Sequence, residues 1–182
     1  MSKLALAVRV EDHAQGNLTA ACTLVEYGDY ECLNCAEANP IVKKLQRHFG
    51  DNLLLVFRNF PLSEQHPWAE AAAETAEFAA AHGKFWEAHD LLYDNQRSFG
   101  PVFFLQLSER IDLSSEGLQI AMREKTYRSR VTADFAGGVR SGVNGTPTFF
   151  INGLRHNGTY EFESLSGAIA RALGQQLPDA TE

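Results

Sequence analysis

The sequence predicts an α/β protein: a small mixed sheet with helices on both faces and a helical block inserted midway. Three observations predict it. Apolar runs of strand length lie near both ends of the chain, and a helical pattern joins the first two of them. Between Pro61 and Gly145 the periodicity is helical throughout. The 182 residues, 45% hydrophobic and 21% charged, suit one compact unit able to bury its own core.

In chain order, Leu4, Leu6, Val8 and Val10 alternate with Ala5, Ala7 and Arg9, the period of a half-buried strand. Residues 12–17 hold turn formers. Residues 22–27 are apolar enough for a central strand, broken by Gly28 and Asp29. Residues 32–49 read as helix closed by Gly50, with a kink expected at Pro40. The continuous apolar run 53–57 is a strand covered on both faces. Strand, helix, strand in this order makes a parallel pair with a right-handed crossover.

Pro67 suits a first helical turn, and an alanine-rich helix spans 68–82 before Gly83. Residues 84–95 carry Phe85, Trp86, His89 and Leu92 at helical spacing. After Gly100-Pro101 a helix covers 102–111, and Ser114 or Ser115 caps another to about Tyr127. Residues 129–140 set Val131, Phe135 and Val139 on one stripe. Trp68, Phe85 and Trp86 are expected in the core of this block. Residues 148–151 are a strand, Asn152-Gly153 is a two-residue hairpin signal, and a partner strand runs to about Gly158. An amphipathic helix over 162–173 closes the pattern.

Sixteen Lys and Arg stand against 23 Asp and Glu, a net charge of -7. Without a basic stripe, the chain is expected to bind neither nucleic acid nor membrane surface. No apolar run approaches the roughly 20 residues of a bilayer span. The short apolar stretch before Arg9 falls below a signal peptide, so a cytoplasmic protein is expected.

Of three cysteines, Cys22 reads as a small apolar group in its strand, while Cys32 and Cys35 form a C-x-x-C at a helix start. The helix N-terminus favours a thiolate at Cys32, and Cys35, one turn in, suits a resolving role. Half a zinc site is the first alternative, but no second C-x-x-C exists and the histidines lack ligand spacing, so no metal is expected. A buried structural pair is the other. Against it, the cysteines follow the polar loop Gly28-Asp29-Tyr30-Glu31 at a strand's carboxyl end, where open α/β sheets gather ligands. Gly145, Thr146, Pro147 and Thr148 lead into a strand where proline cannot donate to a central ladder. Alone, this segment reads as a trans turn. Beside a C-x-x-C, a cis bond costing X–Pro only about 0.5–1 kcal/mol would set the Thr146 backbone against the thiols. The glycines at 137, 138, 142 and 145 do not fit G-x-G-x-x-G, so no dinucleotide site is expected.

These residues resemble the DsbA-like branch of the thioredoxin superfamily. The resemblance rests on Leu24-Val25-Glu26-Tyr27, Cys32 and Cys35, Arg58-Asn59-Phe60-Pro61-Leu62, Phe85-Trp86-Glu87-Ala88-His89, and residues 145–151. It implies a thioredoxin fold over residues 1–62 and 143–182, with an inserted helical domain over 63–142. It implies a thiol–disulfide oxidoreductase with Cys32 as nucleophile, Cys35 as resolver and Pro147 as cis-proline. No cofactor is implied beyond the Cys32–Cys35 dithiol itself. Clients would be protein or peptide thiols and disulfides, bound beside Thr146, Pro147, Leu33 and Asn34 by strand-like pairing. A thiol partner such as glutathione or a thioredoxin-type reductant would restore the pair. Glu26 is expected beneath the thiols as a proton relay, with Arg58 as its candidate positive partner.

The chain departs from the family pattern in its inner dipeptide, Leu33-Asn34 in place of Pro-His. With no positive side chain there, a milder poise is expected within the span of about −120 to −270 mV, roughly 7 kcal/mol. Together with the expected cytoplasmic setting, this points to reduction or reshuffling of disulfides. Two other functions fit the same pattern. One is a glutathione-dependent transferase or isomerase, against which Cys35 argues; the other is a non-enzymatic partner-binding module.

Overall fold

The computed structural model describes residues 2–174; Met1 and residues 175–182, the end of the expected 143–182 segment, lie outside the described residues. The chain runs β1 (His13–Gln15), β2 (Cys22–Gly28), α1 (Leu33–Phe49) and β3 (Leu53–Asn59). Five helices follow: α2 (Ala69–Ala81), α3 (Phe85–Asp94), α4 (Pro101–Arg110), α5 (Ser115–Glu124) and α6 (Arg128–Arg140). It returns through β4 (Thr148–Ile151), β5 (Leu154–Arg155) and α7 (Phe162–Ala172). The sheet order is β1-β3-β2-β4-β5; β2 and β3 are parallel, and the other pairs antiparallel. This is the mixed sheet with a helical insert between β3 and β4 that the periodicity predicts.

Burial explains why β2 and β3 are central. Every residue of β3 is buried, and in β2 only Thr23 is partly exposed. Leu24, Leu53, Leu55 and Phe149 pack under α1 and α7 against Val42, Leu45, Leu165 and Ile169. Val25, Tyr27, Val56 and Phe150 form the opposite face with Phe60 and Phe135. Each such side chain contributes about 1.5–3 kcal/mol on burial. A third cluster joins Tyr30, Cys32, Cys35 and Phe57 to Ala72, Leu92, Tyr93 and Phe104 of the insert. The dithiol therefore sits at the seam between sheet and insert.

Three expectations fail locally. Residues 4–10 form no strand: an isolated bridge pairs Lys3 with Leu154, and Val10 is 96% exposed. Its backbone groups are claimed elsewhere, since the Ala5 amide donates to Ser141 and the Leu6 and Ala7 carbonyls accept from Arg58. The edge strand is instead β1, inside the expected turn, because the open edge of β3 supplies a partner from His13 to Gln15. The second hairpin strand ends at Arg155, after which His156 donates to the Thr159 carbonyl near the start of α7. Along α6, Val131 is buried but Val139 is 53% exposed. The buried face of α6 runs through Gly137 and Gly138. A Cβ at Gly138 would lie 2.6 Å from the Phe60 ring, so the helix reaches the sheet through a missing side chain. Phe85 is buried as expected, and Trp68 and Trp86 pack at the margin of the core; α1 continues through Pro40.

Arg58 does not face Glu26. In the β2–β3 register Tyr27 pairs with Arg58 and Glu26 with Phe57. Neighbours along a strand point to opposite faces, so Arg58 lies on the far side of the sheet from Glu26. There, 2% exposed, it spends its donors on both Asp12 carboxylate oxygens (3.0 and 2.7 Å), the Tyr27 hydroxyl and the carbonyls of Leu6 and Ala7. Burial alone would raise Asp12, but the Arg58 hydrogen bonds hold its carboxyl below the usual value. Arg58→Met strands that carboxylate and is expected to cost about 3–5 kcal/mol in urea unfolding. Adding Asp12→Leu should recover most of the loss.

Candidate functional site: a dithiol at the seam of sheet and insert

The loop after β2 is held in one shape by side chains from three elements. Asp29 accepts from the Glu31 amide with one carboxylate oxygen, and from the Leu62 amide and His66 Nδ1 with the other, all at 2.8 Å. Glu31 accepts from the Trp68 amide at 2.6 Å, just ahead of α2. Gln96, between α3 and α4, donates its Nε2 to the carbonyls of Tyr30 (2.8 Å) and Cys32 (2.9 Å). The insert thus grips the backbone of the C-x-x-C loop.

Cys32 is the N-cap of α1, with extended backbone (φ −75°, ψ 123°), so its sulfur meets the unpaired amides of the first turn. A hydrogen bond from the Cys35 thiol is the strongest influence on it and favours the anion. Burial opposes this, and Thr146 with the Cys35 and Asn34 amides adds to the depression. The result is a thiol lowered to about 5. Cys32 is 7% exposed, while Leu33 beside it is 68% exposed and Asn34 is exposed. As a thiol, Cys32 donates to the Thr146 carbonyl at 3.3 Å, and the Thr146–Pro147 peptide bond is cis.

Cys35 is fully buried. Burial first, then the hydrogen bond it gives Cys32 and the charge of Glu26, hold its thiol well above the ordinary value. Glu26 is 3% exposed, and its Oε1 has no hydrogen-bond partner among the described residues. Burial, assisted by the Cys32 charge, raises its carboxyl to about 8. His66 is held above its ordinary value by Asp29, against the opposing effect of its partial burial.

The structure brings Cys32, Cys35, Glu26, Thr146 and Pro147 to one place, with Leu33 and Asn34 on the rim. Asp29 lay in a loop the sequence marks only as polar. Gln96 and His66 carry no local signal, because their partners are backbone groups or side chains 37 or more residues away. A surface cavity of about 460 Å³, lined by Leu62, Arg128 and Phe135, does not include the dithiol.

Fold and site together define a dithiol protein of the thioredoxin superfamily. The chain belongs to the family described as Thioredoxin (Thioredoxin_4), whose model matches residues 9–171. Among solved structures it shares its fold with oxidised BdbD from Bacillus subtilis, with a TM-score of 0.85, 22% identity and coverage of 96% of this chain and 100% of that one. It is similar to alpha-DsbA1 of Wolbachia pipientis, with a TM-score of 0.79, 18% identity and coverage of 93% and 94%. A thioredoxin-like oxidoreductase from Silicibacter pomeroyi DSS-3 is 26% identical, with a TM-score of 0.78 and coverage of 92% and 95%. Among curated proteins, Na(+)/H(+) antiporter NhaA 1 of Salinispora arenicola is 43% identical over 162 residues, 89% of this chain and 25% of that protein. NhaA 3 of Salinispora tropica is 41% identical with the same coverage. The chain spans about a quarter of the length of these curated relatives.

Two ionisations should oppose each other in the stability of the dithiol form. Cys32, lowered from 9.0 to about 5, adds stability as pH rises between those values. Glu26, raised from 4.5 to about 8, is protonated in the fold where the unfolded chain has ionised, so it removes stability over that window. Each acts with a slope of at most about 1.4 kcal/mol per pH unit. Relative to wild type, Glu26→Gln should therefore gain stability as pH rises from 5 to 8, and Cys32→Ser should lose it. Urea unfolding across this range measures both; parallel curves for all three proteins would contradict the assignment.

Proposed function

We propose that this protein is an enzyme, a thiol–disulfide oxidoreductase that exchanges disulfides with protein or peptide clients. One observation carries the reading: a depressed thiol at the helix N-cap lies directly over a buried, raised thiol and a buried carboxyl. Near neutral pH Cys32 is a thiolate and can attack a client disulfide, forming a mixed disulfide and releasing one client thiolate. Cys35 then gives its proton to Glu26 and attacks the Cys32 sulfur. The second client sulfur leaves as a thiolate, the client has gained two electrons, and the protein holds a Cys32–Cys35 disulfide. A glutathione- or thioredoxin-type thiol restores the pair, and each step runs in reverse with an oxidant.

The Glu26 charge state follows the cycle. Part of its elevation comes from the Cys32 anion, which disappears once Cys32 is bonded to a client. The carboxyl then ionises more readily, when a base for Cys35 is needed. The Thr146 main chain beside the sulfur supports binding of an extended client segment, and exposed Leu33 adds an apolar contact. This arrangement favours disulfide exchange over glutathione transfer, since Cys35 is set to resolve whatever Cys32 captures.

The Cys32 value of about 5 falls between the roughly 3.5 of a strongly oxidising C-x-x-C and the roughly 7 of a reducing one. The reduction potential is accordingly expected between about −120 and −270 mV in glutathione equilibration. Cys32→Ser should abolish reduction of insulin disulfides, and Cys35→Ser should accumulate mixed disulfides with clients. An active Cys32→Ser protein would overturn the proposal.

The antiporter relatives support a second reading, in which the client is a membrane protein joined to this region in one polypeptide. Mass spectrometry of the mixed disulfides held by Cys35→Ser separates the two readings.

A further inference from the structure

Beside Glu26 Oε1, a second buried polar atom near the dithiol lacks a partner. Tyr93, on α3 of the insert, is 6% exposed, and its hydroxyl has no hydrogen-bond partner among the described residues. Its ring packs on Tyr30, with centroids 5.0 Å apart, and edge-on to Phe57 at 6.4 Å. Phe57 is the residue in register with Glu26. The hydroxyl lies over Gly28, where a Cβ would come within 2.8 Å of it. Glu26 and Gly28 are two apart on one strand and share the face that α1 covers through Ala38, Val42 and Leu45, while Cys35 packs with Phe57 and Tyr93. The orphaned hydroxyl and the orphaned carboxylate oxygen therefore occupy neighbouring positions in one buried compartment beneath the resolving thiol. A buried polar atom without a partner is disfavoured, so two of them side by side call for a reason such as a shared water.

We propose that Tyr93 is a positioning residue for the proton of Cys35: its hydroxyl and the Glu26 carboxyl hold one internal water between them, and through it Tyr93 stabilises the carboxylate. The proton moves from the Cys35 thiol to Glu26, and Tyr93 keeps its own. This inference rests on the relay role proposed for Glu26. The other groups facing the compartment are Cys32 and Cys35 from α1 and Asp29 and Tyr30 after β2. Burial keeps His89 from α3 neutral, and its Nδ1 lies 3.0 Å from the Tyr30 hydroxyl. Glu77 of α2 and Asp134 of α6 act on Tyr30 from further out. Among these groups Tyr93 carries the hydroxyl that has no hydrogen-bond partner among the described residues. Gly28 is what lets it approach, because any side chain there would meet the Tyr93 hydroxyl and the Phe57 ring.

Tyr93→Phe keeps the ring and deletes the donor. Removing a donor from the ionised form raises the pKa of the carboxyl. The Glu26 titration, followed by carboxyl NMR in the disulfide form, should move up by about one unit, and release of a preformed mixed disulfide at neutral pH should slow about tenfold. An unchanged titration in Tyr93→Phe would overturn the proposal, as would a slowing that persists undiminished in a Glu26→Gln background. If Glu26→Gln alone leaves the pH profile of release unchanged, the relay fails and this inference with it. If Glu26→Gln abolishes the profile while Tyr93→Phe leaves it untouched, the relay stands and Tyr93 has no part in it. Should Tyr93→Phe not fold, 3-fluorotyrosine at position 93, a stronger donor, should move the titration down, and no movement there would overturn the proposal equally.

Discussion

The site depends on one electrostatic contrast: within a few ångströms, a sulfur at the mouth of a helix is stabilised as an anion while a sulfur and a carboxyl below it are kept neutral. Burial acts on all three groups and always disfavours charge. Only Cys32 escapes, because hydrogen bonds from Cys35, from Thr146 and from the first-turn amides outweigh its desolvation. Cys35 and Glu26 lie one layer deeper and receive no comparable compensation. Depth below the helix end separates a thiol favoured as an anion from a thiol and a carboxyl kept neutral.

The helical insert supports this contrast. Gln96 fixes two carbonyls of the C-x-x-C loop, the backbone ahead of α2 docks on Glu31, and His66 leans on Asp29. Tyr30, whose carbonyl Gln96 holds, packs its ring among Phe57, His89 and Tyr93. The loop is therefore tied to the sheet on one side and to the insert on the other. Such contacts hold the loop and its two sulfurs in one fixed geometry. On the far face of the sheet, Arg58 and Asp12 perform a separate task, pinning residues 6–12 across β3 with a satisfied ion pair.

Much of this was legible in the chain. Runs of apolar residues with two distinct periods locate β2, α1, β3 and the insert, since helix and strand repeat their buried positions differently. Cys32 and Cys35 announce themselves by spacing, Pro147 stands out only in the company of that pair, and Glu26 only through the resemblance to the DsbA-like branch. Residues 4–10 misled because alternation shows only that a strand could form, and their hydrogen-bonding groups found other partners. Val139 misled because periodicity counts apolar side chains, whereas α6 approaches the sheet through the absent side chains of Gly137 and Gly138.

By itself, then, the sequence determined the order of β2, α1, β3, the insert and β4 and the spacing of Cys32 and Cys35, because periodicity and the C-x-x-C spacing act over a few neighbouring residues. Tertiary structure alone decided which face of the sheet each charged group occupies. It turned Arg58 away from Glu26 through a one-residue offset in register, and it brought Gln96, His66 and Tyr93 to a loop more than 30 residues distant. Those placements follow from strand register and helix docking, and no local pattern along the chain encodes either.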